Sequence, residues 1–527
     1  MQRSISVLIL AVASVILSVP AQAGWDQAFK LKPSDGAVND EFSNSVALSG
    51  NTALVGNWLD DDNGSASGSA YLFNTTTGAQ ITKLTPADGA IGDYFGHSVA
   101  LSGNTALVGS PYDEDNGFGS GSAYLFNATT GAQLAKLKPA DGAMGDGFGG
   151  SVALSGNTAL VSSRFDGDNG LNSGSAYLFN ATTGTQLAKL LPADGATGDR
   201  FGLSVALSGN TALVGSFQDD DNGSESGSAY LFDATTGAQL AKLKPSDGAV
   251  DDEFGYSVAL SGNTALIGSY QDDDNGDASG SAYLFNATTG AQIAKLLPVD
   301  GAARDYFGYS VALSGNIALV GNIGDDDNGN ASGSSYLFNA TTGVQLAKLK
   351  PADGAAGDNF GISVALSGNA ALVGSFRDDD NGTNSGSAYL FAMDVLDPNP
   401  VSGGTITFSP ITPGVSLTLD DIPSIVNSGG AGSKINVTGF GFSGPNPSLF
   451  DLPGYSNVTL TAGAFDTIAY DLTFLGSAAA GDYAATLTLF TDSGNVSYNI
   501  QASVIPEPST LGLLALGGLA LLLRRRK

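Results

Sequence analysis

Seven phenylalanines, Phe42, Phe95, Phe148, Phe201, Phe254, Phe307 and Phe360, each open the same phrase, Phe-x-x-Ser-Val-Ala-Leu-Ser-Gly-Asn, and each step between them is 53 residues. A strict period of this size signals a repeat array, in which one supersecondary unit buries its faces against copies of itself. In the fifth copy two short β-prone runs, Ser257–Leu260 and Thr264–Ile267, flank the tight-turn sequence Ser261-Gly262-Asn263. A polar loop, Asp272-Asp273-Asp274-Asn275-Gly276, leads to Ser281–Phe285, the turn Asn286-Ala287-Thr288-Thr289-Gly290, and Gln292–Leu296. Two hairpins per unit make a four-stranded antiparallel blade, and seven units fall within the usual four to eight blades of a β-propeller.

The ends of the array predict how it closes. The chain opens with a fourth strand that has no preceding three, Ala28–Pro33, whose next equivalent is Ile81–Leu84. The seventh copy runs through Ala388–Phe391 and departs into Asp397-Pro398-Asn399-Pro400 without a fourth strand. An open solenoid would need capping repeats, whereas a ring closes if the amino-terminal strand completes the last blade and removes its exposed edge. Lys30, Lys83, Lys136, Lys189, Lys242, Lys295 and Lys348 recur in this outermost strand, where edge lysines would block pairing with another sheet or simply add solubility.

The formal charge is −30, and without the five basic residues of the terminal segments the balance is 16 basic to 51 acidic, or −35. Such a field repels nucleic acid and attracts cations. In an antiparallel blade the second turn and the blade-to-blade link share one face, and 39 of the 51 acidic residues fall in those two segments. A ring of carboxylates this dense should recruit counterions, so possible Ca2+ sites are the pairs Asp60/Asp62, Asp113/Asp115, Asp166/Asp168, Asp219/Asp221, Asp272/Asp274, Asp325/Asp327 and Asp378/Asp380. The register differs from a D-x-D-x-D-G loop, because the residue before each pair is Leu59, Tyr112, Phe165, Gln218, Gln271, Gly324 or Arg377. Asp, Asn and Gly are also ordinary tight-loop residues, and a solvated turn is the competing assignment.

Beside these loops one position varies from copy to copy as Trp58, Pro111, Arg164, Phe217, Tyr270, Ile323 and Phe376. Its aromatic members Trp58, Phe217, Tyr270 and Phe376 suit sugar rings, which offer an apolar face beside hydroxyls, although loop packing also explains them. Cys is absent and His97 is the one histidine, which removes thiolate chemistry and multi-histidine sites. His97 aligns with Asn44, Gly150, Leu203, Tyr256, Tyr309 and Ile362, so it has no repeated role and is expected at the surface.

The units resemble the FG-GAP repeats of integrin-α-like propellers through Phe254-Gly255-Tyr256-Ser257-Val258-Ala259 and Ala265-Leu266-Ile267-Gly268-Ser269, over Trp25 to about Val395. That resemblance implies a seven-bladed propeller used for binding or adhesion. The family's calcium loop lies in the first hairpin, where this chain has only Ser-Gly-Asn, so calcium is not carried over to those positions.

Both ends read as addresses. Arg3, the apolar run Ile5–Leu17 and Ala21-Gln22-Ala23 have the order of a secretory signal, placing 1–23 in a leader and the ring in 24–395. At the far end Pro506-Glu507-Pro508, the apolar stretch Leu511–Leu523 and Arg524-Arg525-Arg526-Lys527 resemble the PEP-CTERM sorting signal of Gram-negative bacteria over 506–527. Thirteen helical residues span roughly 20 Å, short of a ~30 Å hydrocarbon core, which suits transient membrane contact. The resemblance implies cleavage by an exosortase-type peptidase and delivery to the envelope surface or extracellular matrix. Between 396 and 505 the period vanishes and seven short strand-like runs suggest a small β-sandwich, with Gly481–Leu487 similar to the late strands of Ig-like modules.

An all-β exported protein without distinctive catalytic groups is expected to be non-enzymatic, its ring binding polysaccharide or a surface protein. A purely structural acidic matrix component and a carbohydrate-active enzyme using paired carboxylates are the two alternatives.

Overall fold

The computed structural model describes residues 25–393 throughout and, between 405 and 504, a set of strands. The leader at 1–23, the sorting motif Pro506, Glu507 and Pro508, and the helix expected from Leu511 to Leu523 lie outside the described residues. Gly24–Met393 forms one compact unit.

Within that unit every repeat is a four-stranded antiparallel sheet in sequence order. Blade one pairs Val46–Ser49, Thr52–Asn57, Ser69–Asn74 and Gln80–Leu84. The expected offset closes the ring. Trp25–Leu31 pairs antiparallel with Ser387–Met393 as the outer strand of blade seven, bringing Lys30 opposite Tyr389 and Leu31 opposite Ala388. The first strands of adjacent blades contact each other all the way round, and Val46–Ser49 meets Val364–Ser367. The turns at one mouth repeat this closure as a hydrogen-bond ring, with Gly103 N–H donating to Ser49 Oγ at 3.0 Å and Gly50 N–H to Ser367 Oγ at 3.2 Å.

Each sheet is buried on both sides, so its central strands read as near-continuous apolar runs with unlike faces. Alternation along Ser-Ala-Tyr-Leu-Phe sends Tyr71 and Phe73 to one side of blade one, with Ala53, Val55 and Phe42, against Leu372, Ala388 and Leu390 of blade seven. Leu54, Ala70 and Leu72 emerge on the other side, against Phe95, Tyr124 and Phe126 of blade two. An aromatic face therefore packs on an aliphatic face at each junction. Phe42 meets Tyr71 and Phe73 edge-on at 5.7 and 6.0 Å, and every copy repeats this trio. Fully burying one such side chain contributes about 1.5–3 kcal/mol.

The link between blades is fixed to the preceding blade's second loop. Gly68 and Phe95 form a parallel bridge, and Tyr94 N–H donates to Ala66 O. Gly68 has φ +79°, and a Cβ there would lie 2.0 Å from Phe95 O, so only glycine permits the approach. Loop and link thus share one face, as strand order requires.

The segment 405–504 is described by ten strands. Thr405–Thr407, Lys434–Ser443, Val458–Thr461, Gly481–Thr491 and Val496–Val504 form a five-stranded sheet in which the first pairs parallel to the last. The remaining strands make a three-stranded and a two-stranded sheet.

Deleting Trp25–Pro33 removes the strand that closes blade seven, together with buried Leu31. Its loss should lower the thermal midpoint, followed by circular dichroism, by roughly 5–10 °C and expose dye-binding apolar surface.

Candidate functional site

The acidic face is built around lysine. In blade two, Lys136 reaches from the fourth strand to place its Nζ 2.8 Å from Asp88, 2.9 Å from Asp113 and 2.7 Å from Asp115. Asp113 and Asp115 come from the loop after the second strand, and Asp88 comes from the link that enters the blade. Asp113 is buried and fully committed. Its Oδ1 accepts from Ser122 Oγ and Asp115 N–H, and its Oδ2 from Tyr124 Oη at 2.8 Å and from Lys136. Lys136 Nζ also lies 5.1 Å from the Tyr124 ring centroid.

This clasp occurs in all seven blades. The ammonium groups of Lys83, Lys189, Lys242, Lys295 and Lys348 hold Asp60/Asp62, Asp166/Asp168, Asp219/Asp221, Asp272/Asp274 and Asp325/Asp327, each with one link aspartate. In blade seven the lysine is Lys30 of the closing strand, on Asp353, Asp378 and Asp380, so one ion cluster joins the two ends of the ring. Sequence reasoning placed these lysines at an edge facing solvent; instead their side chains fold inward and are only 14–17% exposed. Burial alone would weaken the Lys136 ammonium, yet its hydrogen bonds to Asp115, Asp88 and Asp113 raise its pKa above the ordinary lysine value.

Each Asp-x-Asp pair singled out in the sequence is therefore brought together, but with a cation of the chain's own between its oxygens. Asp88/Asp113/Asp115 and Asp300/Asp325/Asp327 have the spacing of a metal-ligating trio, and in both the three carboxylates already converge on one Nζ. The donor set fits an ammonium rather than a resident divalent ion, whose charge would repel the lysine. The link aspartates Asp35, Asp88, Asp141, Asp194, Asp247, Asp300 and Asp353 were missed as partners. Their signal is a constant offset of 48 residues to the lysine in blades one to six, and Asp353 reaches Lys30 across the ring closure.

Asp62, Asp168 and Asp274 are the most exposed second members of the Asp pairs that the sequence offered as cation sites. Their side chains are 56%, 50% and 49% exposed, and each is paired with a lysine, Lys83, Lys189 and Lys295 respectively. The reason is local. A second lysine, Lys32, Lys138, Lys244 or Lys350, covers the matching Asp380, Asp115, Asp221 and Asp327, whereas Thr85, Leu191 and Leu297 stand at that position in blades one, three and five. Carboxylates this open to water attract an ion only weakly.

A second aspartate in each link behaves oppositely. Asp40, Asp93, Asp146, Asp199, Asp252, Asp305 and Asp358 are buried, and burial raises all their pKa values, to about 6 for Asp93, Asp199 and Asp358. Asp93 accepts one N–H, from Ala90, and feels the negative Asp113.

Inside this framework lies a rim where the copies differ. The position two residues after the repeat phenylalanine (Asn44, His97, Gly150, Leu203, Tyr256, Tyr309, Ile362) meets the variable position after the second strand across a blade boundary where His97 faces Trp58, Tyr256 faces Phe217 and Tyr309 faces Tyr270. Trp58 packs 5.6 Å from His97 and 5.2 Å from Tyr94 and donates its indole N–H to Glu41 at 3.1 Å. Tyr270 stacks 4.3 Å from Tyr256 and 5.5 Å from Tyr309, while Phe217 meets Tyr256 at 5.8 Å. Phe376 lies under Arg377, whose guanidinium carbon is 4.9 Å from the ring. His97, expected at the surface, is wedged against Trp58. Burial lowers its pKa to about 4, and its Nδ1 has no hydrogen-bond partner among the described residues. Two more variable positions contribute to the rim, one including Tyr94, Arg200, Glu253 and Tyr306, the other Tyr112, Phe165 and Arg377. Their signal was divergence between otherwise matching copies.

These features define a closed seven-bladed propeller with one chemically uneven mouth. The FG-GAP repeat model matches residues 25–73, 79–126, 132–179, 185–232, 238–285, 291–338 and 344–391, and the chain belongs to that family. A PEP-CTERM protein-sorting motif matches residues 504–527, which marks an exported protein handled by an exosortase-type processing system, with transient anchoring at the membrane. No curated protein matches. Among solved structures, a europium-containing methanol dehydrogenase is similar over 70% of this chain and 93% of its own, at 11% identity and a TM-score of 0.37, too distant to bear on chemistry.

Replacing Lys136 by Met leaves Asp88, Asp113 and Asp115 facing one another and should cost about 1–3 kcal/mol in chemical denaturation, less than a fully buried pair because two of the carboxylates reach solvent. Calcium should raise the melting temperature of K136M and leave that of the unmodified ring unchanged; a rise in the unmodified ring would show a resident ion site.

The pH dependence has a defined sign. The seven link aspartates with raised pKa bind protons in the folded state before the unfolded chain does, so between about pH 4 and 6 their contribution stabilises the ring as pH falls. Carboxylates held down chiefly by lysine, such as Asp115 and Asp221, act oppositely below the ordinary carboxylate range. The melting temperature should therefore be highest on the acid side of neutrality, and Asp93→Asn should flatten its decline from pH 5 to 7.

Proposed function

We propose that the ring is a non-enzymatic recognition module of the cell envelope or extracellular matrix, and that its variable rim binds an extracellular polysaccharide. The observation that carries this reading is the distribution of differences within the chain. Core, turn and clasp positions repeat almost unchanged, as shared packing demands, while Trp58, Phe217, Tyr270 and Phe376 and their partners diverge at one mouth. Stability does not require that divergence, because each blade carries the same aromatic trio and clasp whatever stands at the rim.

The rim's composition supports a sugar. Half-buried aromatic faces at Trp58, Tyr270 and Phe376, with Phe217 buried beneath Tyr256, lie next to amide, phenol and carboxylate groups and provide the stacking surface and polar partners that a pyranose ring uses. A surface protein as the partner is the second reading, favoured by exposed apolar side chains further out on this face, Ile91 at 73%, Phe118 at 68%, Met144 at 71% and Leu171 at 73%. After the sorting signal is removed, the exported chain would present the ring at the cell surface or in the matrix.

Glycan-array binding followed by calorimetry checks this reading. Selective binding to some glycans is expected, weakened at least about tenfold, or about 1.4 kcal/mol, by Trp58→Ala or Tyr270→Ala, with circular dichroism showing each variant still folded at the binding temperature. Absence of selective binding would favour the structural matrix role, and new reducing ends would favour an enzyme.

A further inference from the structure

Among the described residues of the ring, all eleven lysines hold carboxylates. Of its four arginines, Arg304 pairs with Asp277 at 3.0 Å and Arg377 donates to Asn359 at 3.3 Å. The guanidiniums of Arg164 and Arg200 make no hydrogen bond or ion pair within the described residues of the ring. In so acidic a protein, two unmatched cations are the exception that needs a cause.

They are also neighbours. Arg164 lies 4.8 Å and Arg200 5.7 Å from the centroid of the same ring, Phe165, and Arg200 is 5.9 Å from Phe217. Two like charges around one ring repel, and cation–π attraction to that ring offsets this only in part. Burial, with Arg200 close by, pushes the Arg164 pKa below its ordinary value. Glu253 feels Arg200 without touching it, and its Oε2 has no partner among the described residues. Beside Arg164 opens a hollow of about 230 Å³, lined by Pro111, Tyr112, Phe118 and Phe165 with the glycine backbone between blades two and three. That volume is below the roughly 300–1,000 Å³ of drug-sized sites and suits a single sugar ring.

We propose that this part of the rim seats a carboxylate-bearing sugar residue of an extracellular polysaccharide, its ring against Tyr112, Phe118 and Phe165 and its carboxylate on the Arg164 and Arg200 guanidiniums. The inference rests on the reading of the rim as the polysaccharide surface and assigns its ligand a charge. Planar guanidinium forks match a carboxylate in bidentate geometry and stay charged at every physiological pH. The surrounding negative field disfavours a densely charged polymer, so the ligand's carboxylates are spaced among neutral sugars.

Tetrasaccharides containing alternating glucuronate or galacturonate, and the same molecules with the carboxyl reduced to an alcohol, are titrated calorimetrically into the exported chain. Binding of at least one acidic form, at least tenfold tighter than its reduced counterpart, is expected. Arg164→Gln and Arg200→Gln should each lose tenfold or more for the acid and little for the reduced sugar, with Arg164→Lys intermediate and Arg304→Gln unchanged. Equal binding of acid and reduced forms, undiminished binding by both glutamine variants, or no acidic sugar bound would overturn the proposal. Equal competition by poly-glutamate would transfer the site to an acidic peptide, and preference for a sulfated tetrasaccharide would remove the carboxylate assignment. If neutral glycans bind through Trp58 and Tyr270 while acidic ones show no preference, only the charge assignment falls; if no glycan binds at all, the underlying reading falls with it.

Discussion

The ring depends on the two faces of one sheet being unlike. A blade whose Phe-Tyr-Phe side fits only the Leu-Ala side of a neighbour forms a heterologous junction, and copies related by one rotation continue until they close or run on as a filament. Here the seventh junction returns to the first. Trp25–Leu31, paired with the last strand of blade seven, fixes that count by backbone hydrogen bonds, because the two ends of the array share a sheet. Once closure is imposed, each core substitution must satisfy two junction geometries, which leaves little room for variation anywhere a blade touches another.

Electrostatics follows from the same repetition. A balance of 16 basic to 51 acidic residues invites a picture of free carboxylates awaiting ions, but the side chains divide into distinct environments. One aspartate per clasp is buried under a tyrosine hydroxyl and an ammonium, two others share that ammonium from solvent, and one per link is buried with little positive charge nearby. The lysine gathers loop, link and outer strand into one cluster, giving long polar loops a fixed shape where apolar packing is thin. The resulting face is rigid, and a rigid face can hold a ligand without the entropic cost of ordering its loops.

Much of this was legible from residues alone. The period, the two hairpins and the surplus first strand together specify a closed ring, and Lys30 opposite Tyr389 realises it. The lysines were harder to place. Edge strands carry solvating lysine so often that the same residue, bent inward onto Asp113, has no separate mark in a single copy. Seven near-identical copies repeat the lysine and its aspartates at fixed offsets, but such constancy does not separate an ammonium clasp from a metal loop, since both need carboxylates at constant spacing. Nor does it show that Asp62, Asp168 and Asp274 stand open to water, because that depends on whether a second lysine from the outer strand covers them. His97 failed for a different reason. It is half-buried, with Trp58 of the neighbouring blade packed against it, a contact 39 positions away that no local pattern encodes. The rim was half visible, because one variable column stood out in the sequence while the others emerged only when the strands placed them side by side.

A symmetric scaffold with an asymmetric mouth has consequences for recognition. Seven equivalent rim positions would present a ligand with seven equivalent poses, and binding would carry no orientation. This ring instead groups its side chains by sector: Trp58, Tyr94 and His97 around blades one and two, Arg164 and Arg200 at blades three and four, and Tyr256, Tyr270, Tyr306 and Tyr309 across blades five and six. An elongated partner crossing the mouth, as proposed, would meet an indole, then guanidiniums, then a cluster of phenols, in one direction only. Cores and clasps held constant make this possible, because stability is supplied equally by every blade and the rim can diverge at small cost to the fold. Duplication thus provides the ring, and divergence at a few positions per copy provides its direction.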